Sequence, residues 1–311
     1  MKLLTGGSRD AASRFSTFGT VFRLAIFISF AIIATGQDHA AGTAKPVTMM
    51  TGLGDLHHPV STKNPQAQEF FDQGLRLIYA FNHAEAARSF QKAAELDPKL
   101  AIAYWGIAEA VGPNYNDPAS EDRFKQAHEA IQKAVDLSGD ASAAERGYIL
   151  AMAKRFPADP KSDRRKAAED YRDAMREVVK NNPDDLDAAT LFAESGMDLH
   201  PWGLWHRDGT PEAGTEEIVA TLESVIKRDP NHLGAVHYYI HTVEASNSPE
   251  RALAGRTAWL RWPRRRDTSC ICQRTFISAR ETTRRQRKLM RKRQRLIEST
   301  SRAAERRAFT R

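Results

Sequence analysis

Cysteine is nearly absent from this chain: its 311 residues hold 2, Cys270 and Cys272, both far downstream. The body before them therefore has no disulfide framework, and packing of apolar side chains must hold it together. A Gly-rich phosphate loop, a nucleophile elbow, a Cys-x-x-Cys pair and a His-Glu-x-x-His pattern are all missing. Their absence removes the usual sequence signs of nucleotide binding, serine hydrolysis, cysteine-held zinc and zinc proteolysis. No stretch sustains the period-two alternation that strands need. The apolar run from Leu24 to Ala34 is shorter than the ~20 residues that cross a bilayer as a helix.

What the chain does have is helical periodicity. In His83-Ala-Glu-Ala-Ala-Arg-Ser-Phe-Gln-Lys-Ala-Ala-Glu-Leu-Asp-Pro98, small and large apolar residues fall where two short antiparallel helices need them. Gly74 and Ala86 let the helices approach, Phe90 fills the gap beside them, Ala93 follows on the same face, and Pro98 stops the second helix. The same ruler repeats after each helix-ending proline. Tyr104, Ile107 and Ala108 follow Pro98; Ala189, Phe192 and Ala193 follow Pro183; Val236, Tyr239 and Ile240 follow Pro230, each set six, nine and ten residues on. This spacing resembles the 34-residue tetratricopeptide repeat, and the resemblance implies stacked helix pairs in a right-handed superhelix.

Between Pro98 and Pro183 the spacing exceeds one repeat, because Gly112-Pro-Asn-Tyr-Asn-Asp-Pro118 is a turn-forming run. Helices are expected over 66–98 (a pair), 101–111, 121–137, 142–155, 163–181, 186–198 and within 213–255, so the fold class is all-α. His200-Pro-Trp-Gly-Leu-Trp-His-Arg-Asp-Gly-Thr-Pro211 interrupts them as a long aromatic loop. Trp202, Trp205 and His206 in it either cover a groove or anchor the loop to the helices.

The two ends differ from the body. Lys2, Arg9, Arg14 and Arg23, then the apolar run, then Ala34-Thr-Gly36 have the order of a secretory signal over residues 1–36, so the expected localisation is exported, periplasmic or secreted. An uncleaved membrane anchor is the other reading of that run. Residues 37–65 read as a lead-in, 66–255 as the repeat domain and 256–311 as an Arg-rich tail. Residues 257–311 carry 18 Lys and Arg against 4 Asp and Glu, so the chain's totals of 46 and 39 leave 28 against 35 for residues 1–256. The repeat body is acidic, and the tail alone makes the chain basic.

The tail carries a second reading. Back-translated with free choice of synonymous codons and shifted by one base after Gly255, it becomes ADGLAALAPAAGHLVHMPAHIYIRTGDYA, then a less secure Ala- and Lys-rich helix. The first proline of that hidden segment falls 34 residues after Pro230, where the next repeat ends. A frameshift is the expectation, with 256–311 packing poorly. The competing reading is a natural arm whose Arg284 to Arg295 binds nucleic acid or a membrane surface. The partner expected is a protein or peptide rather than nucleic acid, with membrane contact only through the signal segment.

With that continuation, residues 52–255 resemble a bacterial family of tetratricopeptide repeat proteins. The motifs carrying this resemblance are Leu56-His-His-Pro59, Phe81-Asn-His83, Ala103-Tyr-Trp-Gly106, Gly112-Pro-Asn114, His200-Pro-Trp202 and His237-Tyr-Tyr-Ile-His241. It implies a helical-repeat fold and assigns no reaction; no catalytic residue is named, and an enzyme is the less favoured reading. All ten histidines lie before residue 242. His237 and His241, one turn apart, share a helix face, the spacing that lets two imidazoles hold one metal ion. By resemblance to repeat superhelices that face lines a concave groove, near Trp105, Glu109, Glu194 and Asp198. Two readings follow: a scaffold binding a peptide or protein segment through these residues with no cofactor, or a divalent-metal site, with or without catalysis, on the same scaffold. His57 and His58 are expected in a turn before Pro59, and His83 in an interhelical corner.

Overall fold

The computed structural model describes residues 46–159 and 161–255. The expected signal segment, the first part of the lead-in and the whole tail lie outside the described residues. Among the described residues there are nine α-helices and no strand: α1 (Pro65–Tyr79), α2 (His83–Leu96), α3 (Ala101–Val111), α4 (Glu121–Leu137), α5 (Ala143–Arg155), α6 (Arg164–Asn181), α7 (Leu186–Leu199), α8 (Thr215–Arg228) and α9 (Leu233–Val243). No helix among them is long and apolar enough to cross a membrane. The all-α expectation holds, and the bounds expected for the helices up to residue 198 agree with these to within a residue or two.

Local chemistry sets the ends. Asn64 caps α1 with Pro65 behind it, and Ser142 with Glu145 forms a reciprocal capping box at α5. Asp163 and Asp185 cap α6 and α7. The segment 213–255 differs from expectation at its end: after α9 comes the 3-10 turn Pro249–Gly255, not a second α-helix of that pair. The run Ser246-Asn-Ser-Pro249 supplies few helix formers and a proline.

Helices pair in sequence, α1 with α2, α3 with α4, α5 with α6 and α7 with α8, and each pair stacks on the next. Phe90 is the wedge of the first two pairs. It is fully buried, and a Cβ built on Gly74 would lie 2.6 Å from its Cε1 atom, while one on Gly106 would also strike its ring. The glycine at α1 was legible in the repeat spacing; the matching one at α3 belongs to the next unit.

The odd-numbered helices form an inner layer in which α1 touches α3, α3 touches α5, α7 touches α9, and α1 touches α9. The first and last of the described helices therefore meet. Gly234 permits this, since a Cβ there would lie 2.5 Å from the Tyr79 ring. Inward side chains consequently pack on one another, which is why the inner face is mostly interior and not an open groove.

Candidate functional site

The inner layer buries an unusual number of polar groups. Trp105 and Glu109 on α3, Glu194 on α7, and His237 and His241 on α9 are each at most 4 % exposed. Asp198 has a buried side chain as well. All six residues singled out from the sequence thus face inward, but their burial does not fit contact with a peptide lying on an open surface. Apart from Trp105, they divide into two clusters.

The first cluster is acidic. Arg155 at the end of α5, invisible as a site residue in the sequence, donates to Asp198 Oδ2 at 2.6 Å, Glu109 Oε2 at 3.4 Å and the Pro113 carbonyl at 2.8 Å. Its guanidinium lies over the Tyr171 ring at 5.0 Å. Burial works against its charge, yet Asp198 and Glu109 outweigh that and raise its pKa. Three carboxylates share this one cation in an apolar interior. Burial first, then the charges of Glu109 and Asp198, push the Glu194 carboxyl well above its usual range. Burial pushes Asp198 up to about 7, with Arg155 pulling the other way. Around them the Tyr171 hydroxyl and Asp198 Oδ1 atoms are enclosed without a hydrogen-bond partner, while the Tyr238 hydroxyl adjoins Glu194; Trp105 stands apart from this cluster, edge-on to Tyr148 with ring centroids 5.5 Å apart.

The second cluster is aromatic and imidazole-rich. His237 and His241 bring their Nε2 atoms to 3.2 Å, and Phe81, Tyr115 and Trp202 surround the pair. The carboxylate beside it is Glu244, 3.0 Å from His241 Nδ1. This corrects the expected grouping, in which Glu109, Glu194 or Asp198 was the acidic neighbour; those three instead converge on Arg155. His83 stacks on Phe81, with both ring nitrogens enclosed and unpaired. Burial first, and then Arg123 and Arg155, lower its pKa to about 4, so it is neutral. In the long loop, Trp205 Nε1 donates to the Thr242 carbonyl at 2.6 Å and Trp202 packs on Tyr115 at 5.1 Å, the anchoring arrangement.

A third group lies where the lead-in crosses the array. Among the described residues, His58, Asp185 and Asp187 are the one set of three potential metal ligands whose donor atoms lie within 4.8 Å of one another. Those atoms already have work. Asp185 caps α7 through the Ala188 amide at 2.9 Å and accepts from the Tyr148 hydroxyl at 2.8 Å. Asp187 accepts from the Tyr79 hydroxyl at 2.6 Å and faces His58 Nδ1 at 2.8 Å and His232 Nε2 at 3.3 Å. The helix N-terminus here carries partial positive charge, which opposes a bound cation. The set is better read as a clasp: His57 pairs with Asp72, His58 with Asp187, and Ser61 donates its amide to Glu145 at 2.7 Å, pinning residues 57–61, which form no turn before Pro59, to α1, α5 and α7. Burial opposes the His58 imidazolium, but Asp187, with Asp185 and Asp72, raises its pKa.

Beside the clasp lies a cleft of about 900 Å³. Its wall includes Asp55, Asp184, Asp185, Asp187 and Asp229, together with His57, His58 and His232; among the described residues no Lys or Arg lines it, although Arg228 pairs with Asp184 at 3.0 Å. Nothing in the sequence marks it, because Asp55, Asp184 and Asp229 come from three distant segments that only the stacking of α7 and α9 against the lead-in assembles.

Fold and interior together define an all-α protein of stacked helix pairs with a polar, imidazole-bearing inner layer. No protein-family model matches the chain, and no curated protein matches it.

Proposed function

We propose that this chain is an exported tetratricopeptide-like scaffold that binds a basic peptide or protein segment, and that the segment lies in the acidic cleft rather than against the inner face. The observation carrying this is the cleft wall, five aspartates with no Lys or Arg lining it among the described residues. Asp185 and Asp187 are largely spent on α7, Tyr148, Tyr79 and the histidines, and Asp184 pairs with Arg228 at 3.0 Å; Asp55 and Asp229 are therefore the open contact residues, and Asp184 takes a cationic partner in exchange for Arg228. Charge complementarity speeds encounter and selects a cationic partner. The body agrees in sign: residues 46–255 hold 33 Asp and Glu against 22 Lys and Arg. The repeat reading is supported by the wedge of Phe90 between Gly74 and Gly106 and by the succession of stacked pairs.

The test is fluorescence anisotropy of a labelled twelve-residue Lys/Arg peptide and of its Glu-substituted counterpart. Binding of the basic peptide that weakens with salt, and weakens tenfold or more in the Asp55→Asn, Asp184→Asn, Asp229→Asn triple variant, is the expected result. Equal binding of both peptides, or no response to the triple variant, overturns the reading.

A further inference from the structure

We propose that the acidic cleft releases its basic partner on acidification, and that His58 is the residue whose protonation drives the release. The inference rests on the reading of the cleft as a site for a basic segment and adds its regulation. Three histidines stand among the five aspartates of the wall, His57 and His58 on the lead-in and His232 at the cap of α9. Imidazole is the side chain that gains a charge between about pH 5 and 8, so a proton taken up here offsets the negative charge that holds a cation.

The hydrogen bonds decide which of the three can act. His232 Nδ1 accepts from the Ala235 amide at 3.2 Å, so its lone pair serves the α9 cap and its hydrogen sits on Nε2, facing Asp187 Oδ1 at 3.3 Å. A proton on that Nδ1 would break the cap, which disfavours His232 as the switch. His58 is arranged the other way. Its Nδ1 lies 2.8 Å from Asp187 Oδ2, which when ionised can only accept, so Nδ1 carries the hydrogen and further proton uptake falls on Nε2, to which no described residue donates. His57 Nδ1 faces Asp72 Oδ2 at 2.7 Å in the same way, but its side chain is 57 % exposed and water screens its charge.

His58 is held in place on the wall. Its amide donates to Asp72 Oδ1 at 3.0 Å, its carbonyl accepts from Gln68 Nε2 at 2.8 Å, and its ring stands edge-on to Tyr148 at 5.8 Å and beside Phe71 at 6.0 Å. The titratable groups facing it are Asp72 from α1, Tyr148 from α5, Asp185 and Asp187 from α7 and, across Asp187, the Tyr79 hydroxyl and His232. Burial opposes its charge, but Asp187, then Asp185 and Asp72, outweigh burial, so His58 gains its proton at a higher pH than a free imidazole. Burial likewise opposes the Asp187 carboxylate, yet His232 and His58 hold that carboxyl below its usual range, so the change of charge falls on the imidazole. A unit charge about 8 Å from a bound cation weakens its binding roughly tenfold, between the limits for water and for a protein surface. By linkage, the bound segment in turn expels the proton from His58.

The full chain is titrated with the labelled twelve-residue Lys/Arg peptide between about pH 6 and 8.5 at fixed ionic strength, a range in which ordinary carboxylates, Lys and Arg all keep their charge. Binding about fivefold or more weaker at the acid end is expected. His58→Gln, whose amide can still donate to Asp187, should bind at the acid end about as tightly as the unaltered chain does at the alkaline end, while His57→Gln should keep the pH dependence. Because His58→Gln also loosens the lead-in, the magnetic resonance signal of the His58 ring in the unaltered chain is the second readout; its titration midpoint should move to lower pH when the peptide is added. Equal affinity at both ends, a pH dependence that survives His58→Gln, or a His58 midpoint that the peptide leaves in place would each overturn the inference and leave the cleft as a binding site. Absence of peptide binding at every pH would overturn both.

Discussion

Replacing Arg155 by Met should destabilise the fold by about 3–5 kcal/mol at pH 8, the usual cost of removing one partner from a buried ion pair. Arg155 is 4 % exposed, so solvent screening offers little relief. The variant leaves Glu109, Glu194 and Asp198 enclosed with no cation, and it removes the 2.8 Å bond to the Pro113 carbonyl. Only the first of these losses depends on pH. A carboxyl whose folded pKa is raised contributes stability that is present below its unfolded value, near 4, and is lost as pH rises through the folded value. For Asp198 that window already reaches about 7. Without the guanidinium, which lowers both Asp198 and Glu194, the window extends higher. At pH 5 the deficit should therefore shrink to about 1.5–3 kcal/mol, the worth of a charged hydrogen bond to the loop. Urea unfolding followed by circular dichroism between pH 5 and 8 measures this directly. A deficit that does not change with pH, or one below about 1 kcal/mol, would refute the reading of the cluster as a carboxylate excess held by one cation.

Gly74→Leu should cost on the order of 1–3 kcal/mol through overpacking against Phe90, and pairing Gly74→Ala with Phe90→Leu should cost less than the sum of the two, as a thermal-unfolding double-mutant cycle would reveal. His58→Gln should cost about 1.5–3 kcal/mol, the scale of a charge-assisted bond. Because the folded pKa of His58 is raised, the contribution lost is full below about 6.5 and disappears as pH rises through the folded value; amide exchange over residues 46–64 checks it. Asp187 behaves oppositely: its pKa is depressed by His232 and His58 against burial, so its contribution is present above about 3.9 and lost on acidification. Resequencing the codons for Ala254 to Trp259 should recover one missing base, and the restored-frame protein should unfold at higher temperature because its last repeat regains a covering helix. An unchanged base count would return the tail to the reading of a basic arm.

The sequence by itself determined the helices, their ends and the wedge that stacks the first pairs. These follow from local rules: apolar residues three and four apart, capping side chains, proline stops, and a small residue opposite Phe90. It also marked His237 and His241, because a four-residue spacing puts two rings on one helix face whatever surrounds the helix. It did not determine what that face meets. The contact of α1 with α9 closes the inner layer, and this closure turned Trp105, Glu109 and Glu194 from expected groove residues into interior ones. Arg155 carried no signal, since a single Arg in an amphipathic helix reads as a solvated charge until α3 and α7 bring three carboxylates to it. The clasp and the acidic cleft were likewise invisible, because His58 and Asp187 are 129 residues apart and such pairings depend on the path of the chain. Periodicity fixes what each helix can bury; only tertiary packing decides which polar groups are buried together, and therefore which of them hold a proton, an ion or a partner.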